Sequence, residues 1–326
     1  MTLALKDDVH RPALMRRINF AVVVFLVFYL VIGLLQPAYL EPAGIMNFLR
    51  RAAPLAILAA GQVFVLVSGG FDLSVGSLVT LTVIGGSMLT ANDPSNTGWA
   101  IGVLYGIGLA VGLINGAVVA YLRTPSIIAT LGALLAINGV AMTWCGGSPR
   151  GYLPENFRMF GRFVFHDVPL VKIFPLAILV FAVVAALAWW GLHGTVFGRR
   201  VFAVGDNPRA AELAGVHVDR VRLGVFVISA LAAVTAGILL GGFGGVSVDV
   251  GVGLELQAIA ACVVGGVQLM GGRGTVVGAI AGALIMTALF TLLTLLGWPQ
   301  PLKDTAQGLM LIIAVALGAW RRRRTG

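Results

Sequence analysis

Two carboxylates stand out by their place in the chain. Asp72 lies in Gly69-Gly70-Phe71-Asp72-Leu73-Ser74-Val75-Gly76-Ser77, and Glu255 follows Val250-Gly251-Val252-Gly253. Both border long apolar runs, where a charge costs about 3 kcal/mol unless it is paired or faces water. Acids so placed either contact a passing polar solute or proton, or cap a helix end whose N–H groups are free. Asp72 is spaced to cap a helix starting near Leu73. Glu255 falls in the first turn of another, where the dipole favours negative charge. The capping role is the first reading for Asp72, and solute contact is the second. Gly70 and Ser74 flank Asp72 where the apolar pattern breaks. Gln62, Asn115 and Asn138 are amides inside apolar runs, suited to hydrogen-bond a solute in a central path or to tie helices together.

Other residue patterns argue against catalysis. Gly266 to Arg273 has the opening spacing of a phosphate loop, but Gly272-Arg273 stands where Lys and Ser or Thr are required. Gly106-Ile107-Gly108 sits inside an apolar run with no acid at the distance a dinucleotide site needs. His10, His166, His193 and His217 are scattered over separate loops, which gives no metal-binding or acid–base grouping. Cys145 and Cys262 have no CxxC partner. No catalytic residue, metal site or cofactor is expected.

The elements that position these residues are set by composition. The chain is 59% hydrophobic and 11% charged, against roughly 45–50% and about 25% in soluble domains, so it is an integral membrane protein. Its net charge of +9 resides in tails and loops rather than in a basic stripe interleaved with aromatics, which excludes nucleic acid as a partner. Lys6, Arg11, Arg16 and Arg17 precede the first apolar run without a small-residue cleavage site, so that run is a retained span.

With about 20 apolar residues per crossing, the spans read as 18–36, 54–68, 73–91, 99–121, 126–144, 174–192, 221–246, 254–270, 275–296 and 302–320. An interfacial segment at 39–53 and a small irregular cap at 146–168 lie between them. The runs on either side of Asp72 are two short spans or one re-entrant pair. The expected fold is therefore all-α: a polytopic helical membrane protein with about ten transmembrane helices, or eight plus a re-entrant pair. Its parts are a cytoplasmic N-terminal tail (1–17), one transmembrane domain (18–320) and a basic cytoplasmic tail (321–326). Positive charge at Arg16-Arg17, Arg199-Arg200 and Arg321 to Arg324 places both termini and the central loop inside. Arg50-Arg51 and the cations after Trp144 fall on the outer side, against that bias.

The loop 193–222 is the one long interior polar segment. Within it Asn207 is a cap, Pro208 a first helical residue and Gly215 a left-handed stop around a two-turn helix. So short a helix does not persist alone in water. Local spacing is compatible with a docking element or with a solvated connector. Gly108, Gly112 and Gly116 match Gly274, Gly278 and Gly282 in spacing, as an internal duplication or as small-residue packing faces.

Several blocks resemble a known family. They are Gly69 to Ser77, Thr124-Pro125-Ser126-Ile127-Ile128-Ala129-Thr130-Leu131-Gly132, Gly198-Arg199-Arg200 through Ala203-Val204-Gly205-Asp206-Asn207-Pro208-Arg209-Ala210-Ala211, Ala258 to Gly266, and Gly271-Gly272-Arg273-Gly274-Thr275. From about Ile45 to Leu317 the chain resembles the permease subunits of bacterial ATP-binding-cassette importers of the ribose, xylose and galactoside branch. It departs from the common pattern at Phe71 and just before Asn207. The resemblance implies a subunit of the bacterial inner membrane with no chemistry of its own, paired with a second copy or a related permease. A cytoplasmic ATPase would drive it, and a periplasmic binding protein would deliver a sugar, with a monosaccharide the expected class. On matching positions the ATPase would dock on Asn207, Pro208, Arg209, Ala210, Ala211, Glu212, Leu213 and Gly215, with Ala210, Ala211 and Leu213 entering its groove. The alternative class is an ion- or proton-coupled secondary transporter of a small polar solute, with Asp72 as its titratable group.

Overall fold

The computed structural model describes residues 11–148 and 151–323, with side chains described in 21–148, 151–310 and at 312. The tail charges, Arg16 and Arg17 included, lie outside the described side chains. In order the elements are α1 (Arg11–Leu35), α2 (Pro42–Val67), α3 (Val75–Thr90), α4 (Thr97–Ala120), α5 (Ser126–Cys145), α6 (Glu155–Arg162), β1 (Val164–Val168), β2 (Lys172–Pro175), α7 (Leu176–Trp189), α8 (Val196–Asp206), α9 (Pro208–Leu213), α10 (Val218–Gly244), α11 (Leu254–Val264), α12 (Val276–Leu295) and α13 (Gln300–Arg323). The strands form an antiparallel hairpin with Phe165 opposite Phe174. This hairpin is the one departure from an all-α fold among the described residues.

Among the described residues, six helical stretches are long and apolar enough to cross a membrane: 42–67, 94–120, 126–145, 176–194, 218–244 and 276–295. Residues 21–35, 75–90 and 254–264 form shorter apolar helices. The expected interfacial segment at 39–53 is instead mostly helical, since α2 runs unbroken through Pro54. An internal proline removes one hydrogen bond and crowds the preceding turn. That cost is offset because α2 lies in the interior, with 89% of its most apolar window buried. The expected span 254–270 also shortens. Helix α11 ends at Val264, and glycines with positive φ at 266, 271 and 272 carry the chain through a compact loop.

Helix α10 is the hub, with α2, α3, α4 and α6 packed around it. Small residues set the distances. A Cβ on Gly112 of α4 would stand 2.7 Å from the Cα of Val227, and one on Gly116 would stand 2.8 Å from that of Leu223, so these backbones touch. Gly278 and Gly282 of α12 pack in the same way on Gly265 and Ala261 beside α11. The two glycine rows noted in the sequence are thus packing faces, the first seated on α10, the second on α11 and its C-terminal Gly265 through Gly278 and Gly282, with Gly274 against Val67 and Val267. At the far end of α10, α6 is seated by contact between Gly161 and Gly242. Asn156 ties α6 to the start of α4, accepting from Thr97 (2.7 Å) and donating to the Pro94 carbonyl (2.6 Å). In the adjoining turn Asp93 accepts the Ser95 N–H (2.8 Å), which holds its carboxyl below the usual range. Outward faces of α1, α5 and α7 expose Leu26, Leu30, Ile128, Leu135, Leu187 and Trp189, as surfaces in contact with lipid should.

Candidate functional site

The chain breaks between α2 and α3 because Gly69 adopts φ +87°, open to glycine at little cost, and Gly70 turns back to donate its N–H to the Val65 carbonyl (3.0 Å). The non-helical segment that follows is held on every side. The Phe71 N–H donates to Ser126 Oγ on α5 (3.0 Å), and Gln62 Nε2 on α2 donates to the Asp72 carbonyl (3.3 Å). Asp72 Oδ1 accepts from the Ser74 N–H (3.0 Å) and hydroxyl (2.6 Å), and Oδ2 accepts from Ser229 Oγ on α10 (2.8 Å). Asn115 Nδ2 on α4 completes the group by donating to Ser74 Oγ (2.9 Å). Gln62, Asp72, Ser74, Asn115 and Ser229 are all buried.

The expected cap therefore takes a different form. Helix α3 begins at Val75, two residues later than expected, with Ser74 as its first flanking residue. Asp72 bonds that flanking residue's own N–H rather than a donor inside the helix. The carboxylate fixes the turn entering α3 and bridges it to α10. Both oxygens of the Asp72 carboxylate have protein partners, which is what burial away from water requires. Glu255 stands in the first turn of α11, and its carboxylate rests on the Cα of Gly76, where any side chain would collide. Nearby the Gly251 N–H donates to Thr80 Oγ1 on α3 (3.1 Å). The two interrupted segments, around Asp72 and before Glu255, thus meet at the start of α3. Asn138, half-buried on α5, takes no part in this hydrogen-bonded group.

The second candidate is the segment from α8 to α9. The expected two-turn helix is present: Asn207 Oδ1 accepts the Ala210 N–H (3.0 Å), Pro208 is the first helical residue, and Gly215 stops it at φ +83°. The residues before it, expected as loop, form α8, capped by Thr195 accepting from the Gly198 N–H (3.1 Å). The proposed contact face needs correction at one residue. Leu213 is 79% exposed, and Arg209, Ala210 and Glu212 are exposed with it, but Ala211 is only 5% exposed and packs against its own chain. At about 100° per residue, Ala211 and Leu213 stand about 160° apart on the helix, so one surface cannot hold both.

The mounting of this segment joins the two candidates. Gly205, near the end of α8, sits directly against the Val67 carbonyl at the end of α2. The Gly272 N–H donates to that same carbonyl (2.9 Å). A Cβ on Gly271 would stand 3.0 Å from the Cα of Gly69. Three backbones therefore meet a few residues before Asp72. Sequence reasoning did not single out Ser229 or the two glycines Gly205 and Gly271 as partners of the break. The local signal was slight, since Ser229 is one of two hydroxyl residues, with Thr235, in the apolar run of α10.

A family described as branched-chain amino acid transport system, permease component, matches residues 44–315, and the chain belongs to that family. It is similar to the ribose import permease protein RbsC of Bacillus subtilis, 34% identical over 295 residues covering 88% of each chain. It is also similar to the autoinducer 2 import system permease protein LsrC of Klebsiella pneumoniae, 37% identical over 290 residues, 89% of this chain and 82% of the relative. Against RbsC of Escherichia coli the figures are 33% over 298 residues, 90% and 91%. No solved structure matches. The chain is a multi-pass import permease of the bacterial inner membrane.

Proposed function

We propose that this chain is the membrane subunit of an ATP-binding-cassette importer that passes a sugar, delivered by a periplasmic binding protein, under the drive of a separate ATPase docked at α9. The relatives' names carry ribose and autoinducer 2, and ribose is the first solute to test here. The observation that carries the reading is the mounting of α9. It is a capped, two-turn helix with Ala210 and Leu213 turned outward, and α8 seats it on the backbone end of α2 just before the Asp72 break. A push on α9 has a steric route into the interrupted segment, which is what coupling an external ATPase to a membrane path requires. Asp72 is enclosed by serines and amides rather than open to a path, which favours this reading over a proton-coupled carrier.

The topology belongs to the same proposal. With α1 and α13 added to the six long helices and the shorter α3 and α11 each crossing beside a non-helical segment, the chain crosses ten times. Both termini and α9 are then inside, and α6 with the hairpin is outside. Extended backbone at membrane depth is tolerated where protein surrounds it. Pairing with a second copy is supported by Gly98, Gly102 and Gly106, a row of small residues on α4 with no neighbour around them.

The test is co-purification of the cognate ATPase together with uptake of labelled ribose. Ala210→Glu and Leu213→Glu should reach the membrane at normal level, yet retain at most a tenth of the ATPase and of uptake. Ala211→Glu should instead lower the amount of folded permease, because it places a charge in an internal contact. Unchanged ATPase association in both outward variants overturns α9 as the docking element.

A further inference from the structure

The arginines that ran against the expected charge bias converge in space. Helix α2 runs antiparallel to α10, so the N-terminal part of α2 meets the end of α10 farthest from α9. There Asn47, Arg50, Arg51, Leu240 and Phe243 line a cavity of about 370 Å³, within the size range of small-molecule sites. Arg50 stacks on Phe243, its Cζ 4.7 Å from the ring centroid. That contact sets the guanidinium over an apolar face. Arg51 donates to the Tyr39 hydroxyl (3.2 Å). Arg162 on α6 lies close enough for its charge, with that of Arg51, to act on Arg50. Arg158, on the same short helix, has a buried Nε with no hydrogen-bond partner. Among the described residues the one ion pair joins Arg209 and Glu212, so none of these four arginines has a carboxylate within bonding distance.

Four cations gathered at one end of the bundle, none of them ion-paired although Glu155 shares α6, repel one another, and such an arrangement is stabilised by an anion. From the cavity we infer that the outer mouth of this permease receives a solute bearing an oxyanion: a polyhydroxylated small molecule with a carboxylate or phosphate group. The Arg50 fork binds the oxyanion, Asn47 a hydroxyl, and Leu240 with Phe243 the carbon skeleton. A concave, mixed apolar and polar lining of this volume fits a small solute better than the flat polar rim that docks a protein. The inference rests on the import-permease reading and narrows its substrate class from sugars in general to acidic or phosphorylated ones.

The experiment uses the full chain in lipid nanodiscs, titrated calorimetrically with gluconate and ribose 5-phosphate, and with glucose and ribose as the neutral counterparts. Binding of at least one anion ten or more times tighter than its neutral counterpart, weakened by salt, is expected. Arg50→Gln and the more exposed Arg51→Gln should each weaken it at least tenfold, while Arg209→Gln, at the opposite end of the chain's central helix, should not. The preferred anion identifies carboxylate or phosphate as the group received. Neutral sugars binding as well as the anions, or affinity unchanged in both arginine variants, overturns the inference. So does binding of an acidic periplasmic protein, lost in Arg50→Gln, when neither free anion binds. Co-purification of the ATPase, measured on the same preparations, reports on the importer reading separately, so retention of the ATPase without anion binding removes the substrate class alone.

Discussion

Asp72 shows how one side chain can serve two elements. Its two oxygens accept three hydrogen bonds, two from Ser74 at the entrance to α3 and one from Ser229 on α10. Removing the carboxylate strands these donors in a site closed to water, and each buried unsatisfied group costs about 1–3 kcal/mol. Asp72→Ala should therefore lower stability by about 2 kcal/mol or more, read as a fall in folded yield and in Tm in detergent. Asp72→Asn keeps an acceptor for the Ser74 N–H, and its amide can donate to the Ser229 hydroxyl, so its cost should be nearer about 1 kcal/mol. If Asp72→Asn is made at normal level yet loses only a pH-dependent component of uptake, Asp72 is a proton carrier and the structural account fails.

Among the elements, α4 carries two glycine rows with opposite fates. Gly112 is pressed on the α10 backbone, whereas Gly102 meets nothing within 4 Å. Gly112→Ala should destabilise the fold by about 1–3 kcal/mol through overpacking. Gly102→Ala should leave Tm unchanged or raise it slightly, since alanine favours helix by about 1 kcal/mol over glycine. The bulkier Gly102→Leu should leave the single chain folded but abolish cross-linking between two copies, if α4 forms the pairing face. Unimpaired cross-linking in that variant would place the pair elsewhere. For α9, Asn207→Ala removes the side-chain acceptor of the Ala210 N–H and should cost about 1 kcal/mol of local stability. Faster amide exchange confined to 208–213 would report it.

For the whole molecule, the two ends of α10 define opposite faces. The α9 segment should be inside the cell, and the surface carrying α6 and the hairpin outside. Cys145 and Cys262 are buried, so single exposed cysteines can be read against a quiet background. A membrane-impermeant maleimide should label Tyr152→Cys on intact cells and Ala210→Cys only after permeabilisation. Labelling of Ala210→Cys on intact cells would reverse the orientation, and would put the arginine-lined cavity on the inner side.

Much of the molecule was legible in the chain because its causes are local. Hydrophobicity marked the membrane helices, since roughly 20 apolar residues have few other stable settings. Gly69-Gly70 marked the break, and Asn207, Pro208 and Gly215 marked α9, because capping and left-handed backbone are properties of single residues. Gln62, Asp72, Ser74 and Asn115 were readable as polar groups out of place in apolar surroundings. What they bond to was not, because the partner Ser229 is 157 residues from Asp72 and a lone serine in an apolar helix carries no local mark. The same limit applied to Ala211, whose inward direction is set by how α9 leans on α8 and α10, and to Pro54, whose helix survives through its burial. Arg50 and Arg51 looked like exceptions to a charge rule until the antiparallel packing of α2 on α10 brought them beside Phe243 and close to the arginines of α6. Identity, spacing and polarity are properties of the chain, whereas partnership across the bundle depends on which helices touch and in what direction they run, and only the tertiary structure decides that.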